Sequence, residues 1–145
     1  MKRYDPHMHT AEHVLNQTMV RMLGIERSFS NHLERKKSKC DYVFDRALTP
    51  DEEKAISDSV NEQLQRHLPV EEHWLNKEEA EKRYNLGKLP DDADDDIRIV
   101  TVGDYDACPC IGEHVSNTSE VGVFVLGSTS YEEGVLRLRF KLKRP

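Results

Sequence analysis

Cys108-Pro109-Cys110-Ile111-Gly112-Glu113-His114 has a counterpart near the other end of the chain, His9-Thr10-Ala11-Glu12-His13. About two thirds of the chain lies between these two histidine-bearing pieces, and the fold is expected to bring them together around a metal. Positions i and i+4 of a helix share one face, so His9 and His13 can approach a single divalent ion. Cys110 and His114 repeat that spacing in a turn. A thiolate among imidazoles favours zinc. An isolated His-x-x-x-His is a weak signal, but followed by Cys-x-x-x-His it is far more specific. The spacing leaves alternatives open. Cys108 can stand in for Cys110, although its separation from His114 is longer by two. Either all four residues bind at once, or three bind and one position stays free for water. The competing reading is a polar surface pair of histidines with Cys110 as a small buried residue. His7 sits too far round the helix from His9 to join it, and His32, His67 and His73 have no partner at ligand spacing.

Working outward, Ala11, Val14, Leu15, Met19, Met22 and Leu23 recur on one face and predict a helix over Thr10–Leu23. Asp5-Pro6 supplies a cap and a first-turn proline, and Gly24 a stop. Cys40, Tyr42 with Val43, and Phe44 alternate with polar residues and predict a strand, with Ser28–Leu33 as its hairpin partner. Thr49-Pro50-Asp51-Glu52 opens a second helix, whose face runs through Ile56, Val60, Leu64 and His67. Val70–Leu75 reads as extended, Asn76 as the cap of a short helix Lys77–Arg83, and 87–96 as an acidic surface loop. Ile97–Val102, with a polar Arg98 among apolar residues, and Val121–Leu126 read as strands. In Gly134–Lys143, apolar Leu136, Leu138, Phe140 and Leu142 alternate with Arg137, Arg139, Lys141 and Lys143, giving one core face and one cationic face. The predicted class is α+β: one domain over 1–145, a largely antiparallel sheet with helices packed against it.

Composition bounds the functional classes. The chain has 145 residues, 33% of them charged, and a mean hydropathy of −0.75. No apolar run approaches the roughly 20 residues of a membrane span, and no apolar stretch follows the first residues as a secretory leader requires. Three cysteines make a poor disulfide framework. A cytoplasmic protein with no membrane partner is expected. The net charge of −6 argues against a molecule that is basic all over. The cations instead cluster at Arg35, Lys36, Lys37 and Lys39 and along the last ten residues.

The two motifs resemble a known family. His9-Thr-Ala-Glu-His13-Val-Leu is similar to the His-x-x-x-His helix of the editing domain of alanyl- and threonyl-tRNA synthetases. Cys110-Ile-Gly-Glu-His114-Val-Ser-Asn-Thr-Ser-Glu-Val-Gly resembles that domain's second signature, Cys-Gly-Gly-Thr-His-Val followed by Thr-Gly-Glu-Ile-Gly. Lys77–Glu81, Leu89-Pro90, Ile97–Val100, Gly103-Asp104 and Glu133–Arg137 follow in the family's order. The resemblance implies a small free-standing editing domain of the AlaX type, related to the second additional domain of those synthetases. It implies zinc held by His9, His13, Cys110 and His114, and hydrolysis in trans of the ester of mischarged aminoacyl-tRNA, with serine or glycine on alanine tRNA. The family's threonine corresponds to Thr118. The departures are Ile111 and Glu113, which replace a glycine and a threonine, and Ser119, which replaces a glycine. They bear on amino-acid specificity.

Zinc can supply activated water for attack on an ester, and Glu113 and Thr118 are the candidate catalytic residues, with Glu12 a second carboxylate adjacent to a ligand. Arg35, Lys36, Lys37, Arg137, Arg139 and Lys141 are the candidate contacts to the tRNA acceptor end. Two other functions fit the same residues: a metal-dependent hydrolase of a small aminoacyl-type substrate, and a non-catalytic zinc-binding module.

Overall fold

The computed structural model describes residues 5–84 and 96–145. The acidic loop expected at 87–96 lies, apart from Asp96, outside the described residues. The elements are α1 (Pro6–Leu23), β1 (Ser30–Leu33), β2 (Ser38–Val43), α2 (Pro50–Gln65), β3 (Val70–Asn76), α3 (Lys77–Arg83), β4 (Asp96–Val102), β5 (Asp106–Pro109), β6 (Val123–Glu132) and β7 (Val135–Lys143), with a short 3-10 turn at Thr118–Glu120. The class is α+β, as the sequence predicts.

Helix α1 begins where Asp5 accepts from the Met8 N–H and ends where Gly24 takes the left-handed conformation. Such caps contribute about 1 kcal/mol each. Burial of Val14, Leu15 and Met19, worth about 1.5–3 kcal/mol per side chain, contributes more. The helix is covered on both sides. Its apolar side joins the main core, and its polar side buries His9, Glu12, His13 and Asn16 as well. Met22, expected in the core, is exposed, while Leu23 beside it packs against the core. Helix α2 carries the full capping box read from Thr49 and Glu52. It stops at Gln65, because His67 adopts a positive φ of 54°. His67 therefore leaves the apolar face it was expected to extend.

The strands divide between two antiparallel sheets rather than forming one. One has the order β1-β2-β7-β6 and the other β3-β4-β5. Strand β3 pairs with β4 in register from Val70↔Val102 to Asn76↔Asp96, while the β6–β7 hairpin pairs through β7 with the distant β2. Helices α1 and α2 pack together and contribute Met8, Leu15, Ile56 and Val60 to one core with Tyr42, Phe124, Leu136 and Phe140 from the four-stranded sheet. A smaller cluster of Ala80, Ile97 and Ile99 lies under α3. The alternation along β7 holds, so its cations stand on the sheet's outer face.

Two boundaries differ from expectation. Strand β6 starts two residues later than Val121 and runs on to Glu132 through an irregularity between Leu126 and Thr129. Gly122 sets the start: its φ is 93°, and a Cβ there would lie 2.1 Å from the Lys143 carbonyl oxygen. The cysteine-rich stretch is a strand for its first half, with Cys108 in β5 and Cys110 just beyond its end.

Candidate metal centre

The structure brings His9, His13, Cys110 and His114 together, their ligand atoms all within 4.8 Å of one another. His9 and His13 project from the first turns of α1, and Cys110 and His114 from the loop after β5. The loop is fastened on both sides. From β4, Arg98 donates through Nη1 to the carbonyls of Cys110 (3.2 Å) and Gly112 (2.7 Å). From α1, His9 Nδ1 donates to the Glu113 carbonyl at 3.0 Å, and Thr10 Oγ1 accepts from the Val115 N–H at 3.3 Å.

His9 and His114 have their Nδ1 hydrogen-bonded, and His13 Nδ1 faces a carboxylate, which turns the Nε2 atoms inward. A carbonyl only accepts, so His9 carries its proton on Nδ1 and its Nε2 is the unprotonated nitrogen. His114 Nδ1 is bonded to Thr10 Oγ1 at 3.0 Å. His13 Nδ1 faces Asp106 Oδ2 at 3.3 Å. Cys110 Sγ then lies 3.3 Å from His9 Nε2 and 3.4 Å from His114 Nε2. Tetrahedral zinc with ordinary Zn–N and Zn–S bonds separates such ligand atoms by about 3.5 Å. The donor set and its outer hydrogen bonds therefore fit a divalent metal, and the group can hold one.

The electrostatics agree. Burial drives His9 down to about 3, with help from the neighbouring His13. Burial and the other two histidines hold His114 well below the usual range. Both are neutral, as ligands must be. Burial also opposes charge on His13, but Glu12, Asp106 and Cys110 outweigh it and raise His13 well above the usual imidazole value. These surroundings favour positive charge at the His13 ring itself, which in a loaded site a divalent ion would supply in place of the proton. Asp106 is held below the usual carboxylate range although burial pushes it up, because His13 and Arg27 outweigh that effect. Arg27 binds both of its oxygens, at 2.7 and 3.3 Å.

A cavity of about 610 Å³ opens beside the cluster, lined by His9, His13, Cys110 and Cys108, by polar Glu12, Asn16, Asn31 and Arg27, and by exposed Phe29 and Ile111. Cys108, the alternative ligand, lines this cavity and stands outside the four-residue group.

Glu113 is exposed and contributes its carbonyl. Thr118 is buried in the join between α2 and β3, where its hydroxyl accepts from the Leu68 N–H (2.8 Å) and donates to the Leu64 carbonyl (3.0 Å). It lines no part of the cavity. Glu12, the second carboxylate adjacent to a ligand, is buried, because α1 is covered on its polar side as well. Among the cations, Arg137 is paired with Asp41 at 2.7 and 2.9 Å. Arg139 lines a separate hollow of about 310 Å³ with Lys37 and Lys39, and Arg35, Lys36 and Lys141 are exposed. Sequence reasoning missed Asp106, Arg27 and Asn16, polar residues without a local signal. Thr10 lies between the histidines, and Arg98 was visible as the one charged residue in the strand Ile97–Val102.

The fold and site define a small α+β protein with a His₃Cys group at a helix–loop junction. Residues 97–139 match the family model of the threonyl and alanyl tRNA synthetase second additional domain. The match covers under a third of the chain and includes Cys110 and His114. Over that stretch the resemblance read from the sequence holds. Helix α1, with the other two histidines, lies outside it and is joined to it by the fold.

Proposed function

We propose that the chain is a zinc-dependent deacylase of mischarged aminoacyl-tRNA acting in trans, with residues 1–145 as one editing-like domain. The observation that carries this reading is the convergence of His9, His13, Cys110 and His114 beside an open cavity. The match to a synthetase domain over 97–139 supports an aminoacyl-tRNA substrate. His9, His13, Cys110 and His114 would hold the zinc, whose Lewis acidity activates water and polarises an ester carbonyl. The polar cavity wall receives the aminoacyl group, serine or glycine carried by alanine tRNA.

The acceptor end needs phosphate contacts. Arg139 and Lys141 on the outer sheet face, with Lys37 and Lys39 beside Arg139, offer them, and Arg35 and Lys36 extend the patch. Arg137 contributes less, because Asp41 offsets its charge. Among the described residues no helix is long and apolar enough to cross a membrane, and a cytoplasmic location fits a tRNA substrate.

The purified protein is expected to release serine from mischarged alanine tRNA, and His9→Ala or Cys110→Ala to abolish release. Normal turnover in either variant refutes the assignment. A small aminoacyl ester as the true substrate shows itself by activity independent of salt. Contacts to tRNA make log activity fall with log salt, by roughly 0.7–0.9 per phosphate contacted.

A further inference from the structure

Resting on that deacylase reading, the geometry points to Glu12 as the catalytic base of the reaction. Among the described residues, four carboxylates lie near the ligands. Asp106 is fully occupied: Arg27 takes both oxygens, Gln17 donates to Oδ1 at 3.1 Å, and its side chain is 0% exposed. Glu113 points away, with only its carbonyl in the site. Glu26 lies at the cavity edge and is exposed. Glu12 differs from all three. Its side chain is 7% exposed and lines the cavity. Asn16 Nδ2 donates to its Oε1 at 2.7 Å and Asn31 Nδ2 at 3.1 Å. Its Oε2 is buried, has no hydrogen-bond partner among the described residues, and lies 3.6 Å from His13 Nε2.

A buried carboxylate oxygen without a donor is costly unless something comes to meet it. The residues that hold Glu12 are themselves held. Asn16 Oδ1 accepts from the Ser28 N–H at 3.0 Å, and Ser28 Oγ is bonded to Asn31. The carboxylate is thus fixed in rotation. One oxygen is anchored, and the other lies beside His13 Nε2 in the cavity wall. A base requires this placement: within hydrogen-bond reach of an attacking water and held before substrate arrives.

The step balances without oxidation or reduction. As the water oxygen bonds to the ester carbonyl carbon, Glu12 Oε2 takes one water proton. When the bond between that carbon and the ribose oxygen breaks, Oε2 returns the proton to the departing ribose oxygen. The products are the free amino acid and the uncharged tRNA end.

Three measurements on Glu12→Gln test the assignment. Metal content after zinc loading is expected to equal that of the wild type. Affinity for a non-hydrolysable RNA hairpin carrying an amide-linked serine is expected to change less than about threefold. Single-turnover release of serine is expected to fall by about 10²–10⁴-fold. Retained release with bound zinc overturns the proposal, and so does loss of zinc, which would make Glu12 a metal or structural group. A wild type that cleaves no aminoacyl-tRNA overturns the deacylase reading and this step with it, and is told apart because the unaltered protein fails. Glu12→Asp, which withdraws the oxygen by one methylene, covers the case in which the glutamine variant does not fold. It is expected to keep zinc and lose at least about tenfold in rate, and full activity in it overturns the proposal.

Discussion

Replacing Asp106 by asparagine removes one negative charge and almost no volume from beneath the metal-ligand cluster. The side chain faces His13 Nδ1 at 3.3 Å and binds Arg27 at 2.7 and 3.3 Å. Two separable effects follow. Carboxylates that orient a ligating histidine are worth about 10–100-fold in metal affinity, which is about 1.4–2.8 kcal/mol. Breaking a buried ion pair by removing one partner costs about 3–5 kcal/mol. Because Arg27 is 25% exposed and an amide keeps the shape, a loss of about 2–3 kcal/mol is expected here. For a chain of this size that lowers the melting temperature by roughly 5–10 °C. Thermal unfolding of metal-stripped protein reads the loss of both charge contacts of Asp106, to Arg27 and to His13, without the metal. The added stability conferred by zinc, together with competition against a chromophoric chelator, reads the affinity effect. A variant that binds zinc as tightly as the wild type refutes the orienting role of Asp106. An unchanged melting temperature without metal refutes the energetic weight of the ion pair.

Arg98→Met keeps the unbranched stem as far as the Nε position and removes the Nη1 group that donates to the Cys110 and Gly112 carbonyls. Zinc affinity is expected to fall at least about tenfold while circular dichroism stays unchanged, and equal affinity would refute the fastening role. Asp5 gives a pH signature. Partial burial raises it, but hydrogen bonds from Arg144 and the Met8 N–H outweigh that, and it sits below the usual carboxylate range. A depressed folded value means its contribution is present above the unfolded value of about 3.9 and is lost as pH falls through the folded one. Urea unfolding should therefore show wild type more stable than Asp5→Ala by about 1 kcal/mol at pH 7, with the gap closing towards pH 2. A constant gap would sink the linkage.

Elements whose signals are local were legible in the sequence. Asp5-Pro6 and Gly24 bracket α1, Thr49 with Glu52 opens α2, Asn76 caps α3, and the alternation along β7 assigns its two faces. The four candidate ligands were legible for the same reason, since each pair is set by a spacing of four within one element. Features that depend on distant partners were not. The division into two sheets depends on which strand finds which neighbour. The pairing of Arg27 with Asp106 spans 79 positions and that of Arg137 with Asp41 spans 96. Glu12 is buried only because β1 supplies Asn31 and the segment before it supplies Ser28, which holds Asn16. Thr118 carries a hydroxyl suited to catalysis, but the register of the α2–β3 join assigns it to backbone carbonyl and amide groups.

The loop that carries Cys110 and His114 is gripped through main-chain atoms: the carbonyls of Cys110, Gly112 and Glu113 and the amide of Val115. Carbonyls and amides are common to every amino acid other than the amide of proline. The grip is therefore indifferent to what is written at positions 111 and 113, whose side chains face outward. Variation there can rewrite the rim of the cavity, where Ile111 stands, while the ligands keep their places. Two of the chain's three departures from the usual motif, Ile111 and Glu113, fall where the architecture leaves the lettering free.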